Sequence, residues 1–326
     1  MGTGHLARCR VLADACLRRG WSVRWMTAFP EGRKFAPKGR AVKIISIPVG
    51  ARGRIHARII GRLVSPRSIV VLDGYHFGFR LEKELRRLEL KVVAIDDNAR
   101  RLFASNVVLN GNIHARELRY RRARGTRLAL GPKYFIFSEE VRKARRRITP
   151  RDVRKILVTM GGADPSNQAL KVLKGIEKAG LSQVSVLVIA GAANRRFAEL
   201  RRFARQVSFR CRVVRATPRI GAEMATADFG IGSAGRIATE MAFLGLPGLR
   251  IVLAANQWGL IRKIHREGAA INLGWHWKLT PGTIARRLRD LMDDVALRRR
   301  MSDKGRALFD GKGTERVVRI FEKLST

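Results

Sequence analysis

The chain has 326 residues, 46% of them hydrophobic, which suits two domains of roughly 150 residues better than one compact core. Lysine and arginine number 67 against 26 acidic residues, a formal net charge of +41, which is more than any small anionic ligand calls for. No window offers the roughly 18 uncharged apolar residues of a membrane span, the opening MGTGHLARCR has no signal-peptide apolar core, and Cys9, Cys16 and Cys211 have no metal-ligand spacing, so the expectation is a cytoplasmic protein without a metal or cofactor.

Along the chain, short β-rich runs alternate with amphipathic stretches, the pattern of an α/β protein with parallel sheets. The first half opens on a glycine turn, Gly2-Thr3-Gly4-His5, followed by a helix over Leu6 to Arg19. Strands follow at WSVRWMT from Trp21, VKIISI from Val42, IVVLDG from Ile69, KVVAID from Lys91 and NVVLN from Asn106, with helices over Arg54 to Leu63 and Phe79 to Leu88. The charged stretch Ile148 to Lys155 reads as the linker between domains 1–150 and 151–326. In the second half, strands begin at Lys155, Val184, Cys211, Ala227 and Leu249, and helices cover Ser166 to Lys178, Arg195 to Arg205, Ile237 to Leu244 and Gln257 to Glu267. From Thr280 the tail is helical. Two Rossmann-like domains facing a cleft are expected, with ligands outside the carboxyl ends of the strands. Such a domain ordinarily begins with a strand leading into its first glycine turn. Here the sequence opens on the turn, and the expectation is that the true start lies upstream.

The positive charge is spread along the chain, with denser runs at Arg119 to Arg127 and Arg142 to Arg147. Such runs read either as a solvated basic surface or as attraction to a polyanion, nucleic acid or an anionic membrane leaflet. No zinc-finger, RNP-type or helix-turn-helix pattern is present, so no specific nucleic-acid module is expected.

Six stretches carry candidate chemistry. In GTGHLAR, Gly2 and Gly4 permit close backbone approach and the helix start offers N–H groups to an anion. His5 is a residue type suited to proton transfer near neutral pH, or a simple helix-start packing residue. In VTMGGADPSN a strand ends at Gly161-Gly162 and a helix begins near Pro165, with Asp164 or Ser166 as its cap. In IGSAGRIATEMAFLGLP a strand runs into Gly232, Ser233, Ala234 and Gly235, small residues that leave amides open to a pyrophosphate. Arg236 opposes the helix dipole there unless an anion binds, and Glu240 can accept from ribose hydroxyls. Asn256 and Gln257 end IVLAANQ with amides suited to a sugar or uracil. In the first half, Asp73, Tyr75, His76, Asp96 and Asp97 sit at strand ends, as cleft-facing groups or as turn caps.

These motifs, GTGHLARC, VLDGYHFG, IDDNA, VLNGN, LGPKYFIF, ILVTMGGADPSNQALKVL and IGSAGRIATEMAFLGLP with IVLAANQ, resemble in order the pseudaminic acid biosynthesis hydrolases, which act on UDP-2,4-diacetamido-2,4,6-trideoxy-β-L-altropyranose and belong to the MurG-like GT-B superfamily. The resemblance implies release of UDP by water attack at the anomeric carbon with inversion, on a UDP-sugar substrate and without a metal. It implies that His5 is the base for water and that Tyr75 lies near the sugar. The phosphates and ribose fall to Gly232, Ser233, Ala234, Gly235 and Glu240, with Gly161 and Gly162 beside them, and the late amides to Asn256 and Gln257. A MurG-like glycosyltransferase is the alternative, and a non-catalytic polyanion-binding relative a third. The chain departs from the family pattern in its absent leading strand, in Asp73-Gly74-Tyr75-His76 where Asp-His-Tyr is usual, and in Arg236 where a small hydroxyl residue is usual.

Overall fold

A computed structural model describes residues 3–48, 53–144 and 152–326. The chain forms two compact units, Met1–Ser138 with Gly311–Thr326, and Glu139–Asp310.

The first unit begins with α1 (Thr3–Leu17), β1 (Val23–Thr27), α2 (Pro30–Lys34), β2 (Val42–Ser46), α3 (Arg54–Leu63), β3 (Ile69–Asp73), α4 (Phe79–Arg87) and β4 (Lys91–Ile95). It continues through β5 (Leu102–Phe103), β6 (Val107–Asn110), β7 (Arg121–Arg122) and β8 (Arg127–Leu130). Strands β3, β4, β6 and β8 form a parallel sheet in the order β3-β4-β6-β8. Strands β1 and β2 pair in parallel as a separate two-stranded sheet, and β5 pairs with β7. On one face of the larger sheet, Ala57, Ile60, Leu81 and Leu85 of α3 and α4 pack with Leu72 and Val92. On the other, Leu12, Ala15 and Cys16 of α1 pack with Val93, Ile95 and Val107. The strands are rich in β-branched residues buried on both faces, as parallel strands between helix layers require.

The second unit holds α5 (Glu139–Lys143), β9 (Lys155–Thr159), α6 (Gln168–Ala179), β10 (Ser185–Ala190), α7 (Phe197–Phe203), β11 (Arg210–Arg215) and α8 (Ile220–Thr226). Then come β12 (Phe229–Ser233), α9 (Arg236–Phe243), β13 (Gly248–Val252), α10 (Trp258–Arg266), β14 (Ile271–Trp275), α11 (Pro281–Asp293) and α12 (Val295–Leu308). Its six strands are all parallel, in the order β11-β10-β9-β12-β13-β14. This is the doubly wound order, in which the direction of strand addition across the sheet reverses between β9 and β12.

The last helix, α13 (Gly313–Ser325), returns to the first unit, where Val317, Val318, Phe321 and Leu324 join the α1 face of the core. The division expected at 150/151 therefore shifts to 138/139, and the C-terminal segment changes sides. Glu140 explains the earlier crossing, because its carboxylate accepts from Gly221 and Ala222 at the start of α8, both at 3.0 Å. Residues 145–151, which include the first half of the expected linker, lie outside the described residues. No helix among the described residues is long and apolar enough to cross a membrane.

Candidate functional site

In the first unit the sequence candidates meet at the carboxyl ends of β3 and β4. Gly2 lies outside the described residues. Gly4 and His5 do not form a turn before the helix, as expected, but are part of the first turn of α1. Gly4 has no positive φ, and a Cβ there would meet nothing within 4 Å, so helical geometry costs it only backbone entropy.

From that first turn, His5 Nδ1 lies 2.6 Å from Asp73 Oδ1 at the end of β3. Arg8, one turn on, spans two acids. Its Nε and Nη2 donate to Asp73, both at 2.6 Å, and its Nη1 and Nη2 donate to Asp97 at 2.9 and 3.1 Å. Asp97 also accepts from Asn112 Nδ2 at 2.9 Å and from the Tyr75 hydroxyl at 3.2 Å. The Tyr75 ring meets the His5 ring edge to face at 5.1 Å. Neighbouring Asp96 serves as a turn acceptor, taking the amides of Asn98 and Ala99 at 2.9 and 2.7 Å. His76 lies outside this cluster, its ring 4.0 Å from that of Phe77.

Burial alone would raise both acids. The guanidinium of Arg8 and the hydrogen bond to His5 outweigh it at Asp73, which is held below the usual carboxylate range. At Asp97, Arg8 brings the carboxyl down to about 2 against the same burial. Asp73 is therefore an ionised acceptor, and His5 Nδ1 must carry the hydrogen between them. The 2.9 Å approach of Arg8 Nη2 to the same nitrogen is then a contact between two donors that share Asp73 Oδ1. With Nδ1 so engaged, Nε2 is the ring nitrogen left to take up a proton. Arg8 was not singled out in the sequence. Its signal was its place three residues after His5, the next position on the same helix face.

In the second unit the glycine turns flank the reversal point. Gly161, with φ of 82°, and Gly162 follow β9, and Gly191 at the end of β10 packs against them. A Cβ at Gly191 would fall 2.1 Å from the Gly161 oxygen. Asp164 caps α6 by accepting from Gln168 and Ala169 at 2.8 and 2.9 Å. Across the reversal, β12 leads through Ser233, Ala234 and Gly235 into α9. Two of these residues serve the turn itself. A Cβ on Gly232 would meet Ile237 Cγ2 at 2.9 Å and the Thr159 oxygen at 3.0 Å. Ala234 is fully buried and its amide donates to Ile251 at 2.8 Å, so that amide is not open to a phosphate as expected. The backbone N–H groups that open a helix point beyond its amino end, and in α9 these begin after Gly235.

Glu240 is buried and accepts from Arg236 Nε at 2.7 Å, an i,i+4 pair. Burial raises its carboxyl and Arg236 opposes that rise. Arg236 at the helix start thus has a partner within the protein, which corrects the expectation that only a bound anion could offset it. Gln257 ties the next loop to this turn. Its Oε1 accepts from Leu253 at 2.9 Å, and its Nε2 lies 3.2 Å from where a Gly235 Cβ would be. Asn256, in the short turn Ala255–Gln257, is exposed.

Comparison with solved structures places this architecture. The chain is similar over 99% of its length to Acinetobacter baumannii MurG, with a TM-score of 0.72 at 16% identity and 97% of that chain covered. The fold is GT-B. Os79 from O. sativa, solved in complex with U2F and trichothecene, matches with a TM-score of 0.68 at 14% identity, over 99% of this chain and 98% of that one. LpCGTa in complex with UDP matches with a TM-score of 0.66 at 14% identity, over 100% and 97%. In sequence the chain is 27% identical over 248 residues to the spore coat polysaccharide biosynthesis protein SpsG of Bacillus subtilis, covering 75% of this chain and 73% of that protein. The GT-B fold implied by the motif resemblance is thus the fold observed. No protein-family model matches the chain.

Proposed function

We propose that this protein hydrolyses a UDP-linked diacetamido-trideoxy sugar, releasing UDP, on the route to a nonulosonic acid such as pseudaminic acid. The observation that carries this reading is the His5–Asp73 pair. An ionised, buried carboxylate fixes Nδ1–H and leaves Nε2 as a base, the arrangement that general-base activation of water calls for. Water would give its proton to His5 Nε2 as its oxygen forms a bond to the anomeric carbon. The bond from that carbon to the diphosphate oxygen would break on the opposite face, and UDP would leave with the electron pair. Tyr75, whose ring abuts His5, would border the sugar. In the second unit, the first turn of α9, with Gly232, Ser233 and Gly235 shaping it, would receive the diphosphate. Glu240 would face the ribose, with Gly161, Gly162, Asn256 and Gln257 around the nucleotide. Sequence similarity to a polysaccharide biosynthesis protein and likeness in fold to proteins solved with UDP support a UDP-sugar substrate.

A second reading, transfer of the sugar to an acceptor hydroxyl, is favoured by likeness in fold to MurG. The same His5 base would then deprotonate the acceptor. Incubation with the UDP-linked diacetamido-trideoxy sugar alone separates the two. Stoichiometric free sugar and UDP support hydrolysis, and UDP release that needs an added acceptor supports transfer.

A further inference from the structure

Three of the chain's five tryptophans meet at one corner of the second unit, and none of them belongs to the site described above. Trp258 opens α10 and Trp275 ends β14, their rings stacked with 5.6 Å between centroids and 16° between planes. Trp277, in the short turn His276–Lys278, stacks in its turn on Trp275 at 4.5 Å and 23°. The row is built into the backbone. Between the pairs Arg250–Asn272 and Val252–Trp275, β14 carries one residue more than β13. Gly274 lies there in the left-handed region, at φ 84°, and its amide donates to Asn272 Oδ1 at 2.9 Å. Such a bulge re-aims the side chain beside it. Lys171 of α6 donates to the His276 carbonyl at 2.8 Å and ties the turn that carries Trp277 to the body of the unit.

The far end of the row is open. Trp277 is 60% exposed. One of its faces is covered by Trp275, and His276 meets it only edge-on, at 4.9 Å and 82°, so the exposed area is mainly the opposite face. That face continues a stack of two rings, and a further planar ring extends it. The surroundings are cationic. Arg262 lies over Trp258, 5.9 Å from the ring centroid, and Lys278 follows Trp277. Both are exposed, and neither has an acidic partner among the described residues. From Trp258 to Lys278 the chain holds Arg262, Lys263, Arg266 and Lys278 against Glu267 alone, and Glu267 is paired with Lys263 at 3.1 Å. A neutral sugar could use the ring face but not the cations. A base with a phosphate on either side uses both.

We propose that this row of tryptophans is a stacking platform for single-stranded nucleic acid. A base lies on the outer face of Trp277, and Lys278 and Arg262 take phosphates of the strand. A duplex does not fit, because its bases are already stacked on one another. The contact reads no sequence, since every base has a flat face, which agrees with a chain that carries no zinc-finger, RNP-type or helix-turn-helix pattern. The net charge of +41 draws a polyanion from a distance, and the platform gives that attraction a defined site.

The test is a titration of the full chain with labelled oligothymidylate, read by anisotropy and by quenching of tryptophan fluorescence, beside an abasic strand with the same number of phosphates. The expected result is binding of oligothymidylate with quenching, and binding of the abasic strand at least about tenfold weaker. Trp277→Ala should remove that difference, weakening oligothymidylate about 10–100-fold, whereas Trp277→Phe should keep most of the affinity. Arg262→Gln and Lys278→Gln should each lower the slope of log K against log salt by about 0.7. Equal affinity of the parent protein for the two strands overturns the proposal and leaves only attraction between charges, and this comparison needs no variant to fold. Absence of binding overturns it too. Quenching by a neutral oligosaccharide that Trp277→Ala abolishes assigns the row to a glycan. A loss of UDP affinity in Trp277→Ala as large as the loss for oligothymidylate assigns it to the nucleotide site. Either of these results also overturns the proposal. None of these readouts depends on UDP-sugar turnover.

Discussion

Replacing Arg8 with glutamine removes the cation that holds Asp73 and Asp97 together. Its Nη2 donates to both acids, at 2.6 and 3.1 Å, so the two carboxylates lie within about 6 Å of each other, where like charges raise each other's pKa. In the parent, Asp97 titrates at about 2 against an ordinary value near ~3.9. That difference contributes on the order of 2–3 kcal/mol of stability, present above pH ~4 and lost as pH falls toward 2. In Arg8→Gln the sign reverses. Two part-desolvated carboxylates without their cation take folded pKa values above the unfolded ones, so the destabilisation is relieved by acid and grows as pH rises. Breaking such a pair by removing one partner costs about 3–5 kcal/mol. Urea unfolding of both proteins at pH 7 and pH 4.5 is the assay. The expected outcome is a loss of that size at pH 7 and a smaller one at pH 4.5, because the repulsion between the two acids is relieved there while the parent keeps most of the contribution of Asp97. An equal loss at both values would refute the electrostatic account and leave Arg8 as a packing residue. No loss at all would mean that the network does not form. Arg8→Lys should recover little, because an ammonium cannot bridge two carboxylates as the guanidinium fork does.

His5→Ala should lower kcat for UDP release by about 10²–10⁴-fold while UDP affinity by calorimetry stays within about threefold, since the nucleotide is assigned to the other unit. Asp73→Asn should also lower kcat, because an amide no longer fixes the Nδ1–H tautomer; wild-type turnover in either variant removes the pair from the mechanism. Glu240→Gln should weaken UDP binding by about 10–100-fold, a loss of roughly 1–3 kcal/mol, and unchanged affinity would take Glu240 out of the ribose contact. Glu82→Ala should destabilise the first unit by about 3–5 kcal/mol. The fully buried Glu82 takes the Ala104 and Ser105 amides at 2.6 and 2.9 Å and pairs with Arg101 at 2.6 Å, and urea midpoints for Glu82→Ala and Glu82→Gln check this.

Local signals were legible in the sequence where one side chain or one short run decides the outcome. Runs such as KILVT and SVLVIA form strands because a doubly covered parallel sheet accepts continuous apolar residues. Asp164 was readable as a cap because an N-terminal acceptor serves nearby amides, although α6 starts at Gln168, two residues later than expected. The strand Arg127–Leu130 was missed because RLAL carries two exposed residues and no β-branched one. Strand Ile271–Trp275 was missed because INLGW is half-exposed along its length and broken by Gly274 at φ 84°. The return of α13 to the first unit was not readable either. Its apolar face fits any sheet, and only the partners, Leu12 and Cys16 among them, show which one it covers.

The candidate site divides along the same line. His5 and the strand-end acids were visible as residue types at suitable positions, yet their pairing was not. Asp73 lies 68 residues from His5, and Asp97 lies 89 from Arg8. Nothing in a local pattern distinguishes Asp73 and Asp97, joined by one guanidinium, from Asp96, which caps its own turn. Those roles follow from sheet register. Asp73 pairs with Ile95 at the carboxyl ends of adjacent strands, so the residues just beyond Ile95 emerge beside Asp73, and the alternation of side chains sends Asp96 and Asp97 in different directions. His5, the proposed base, was therefore visible as a residue type, whereas the acids around it are set by register, which brings Asp97 and not Asp96 to Arg8.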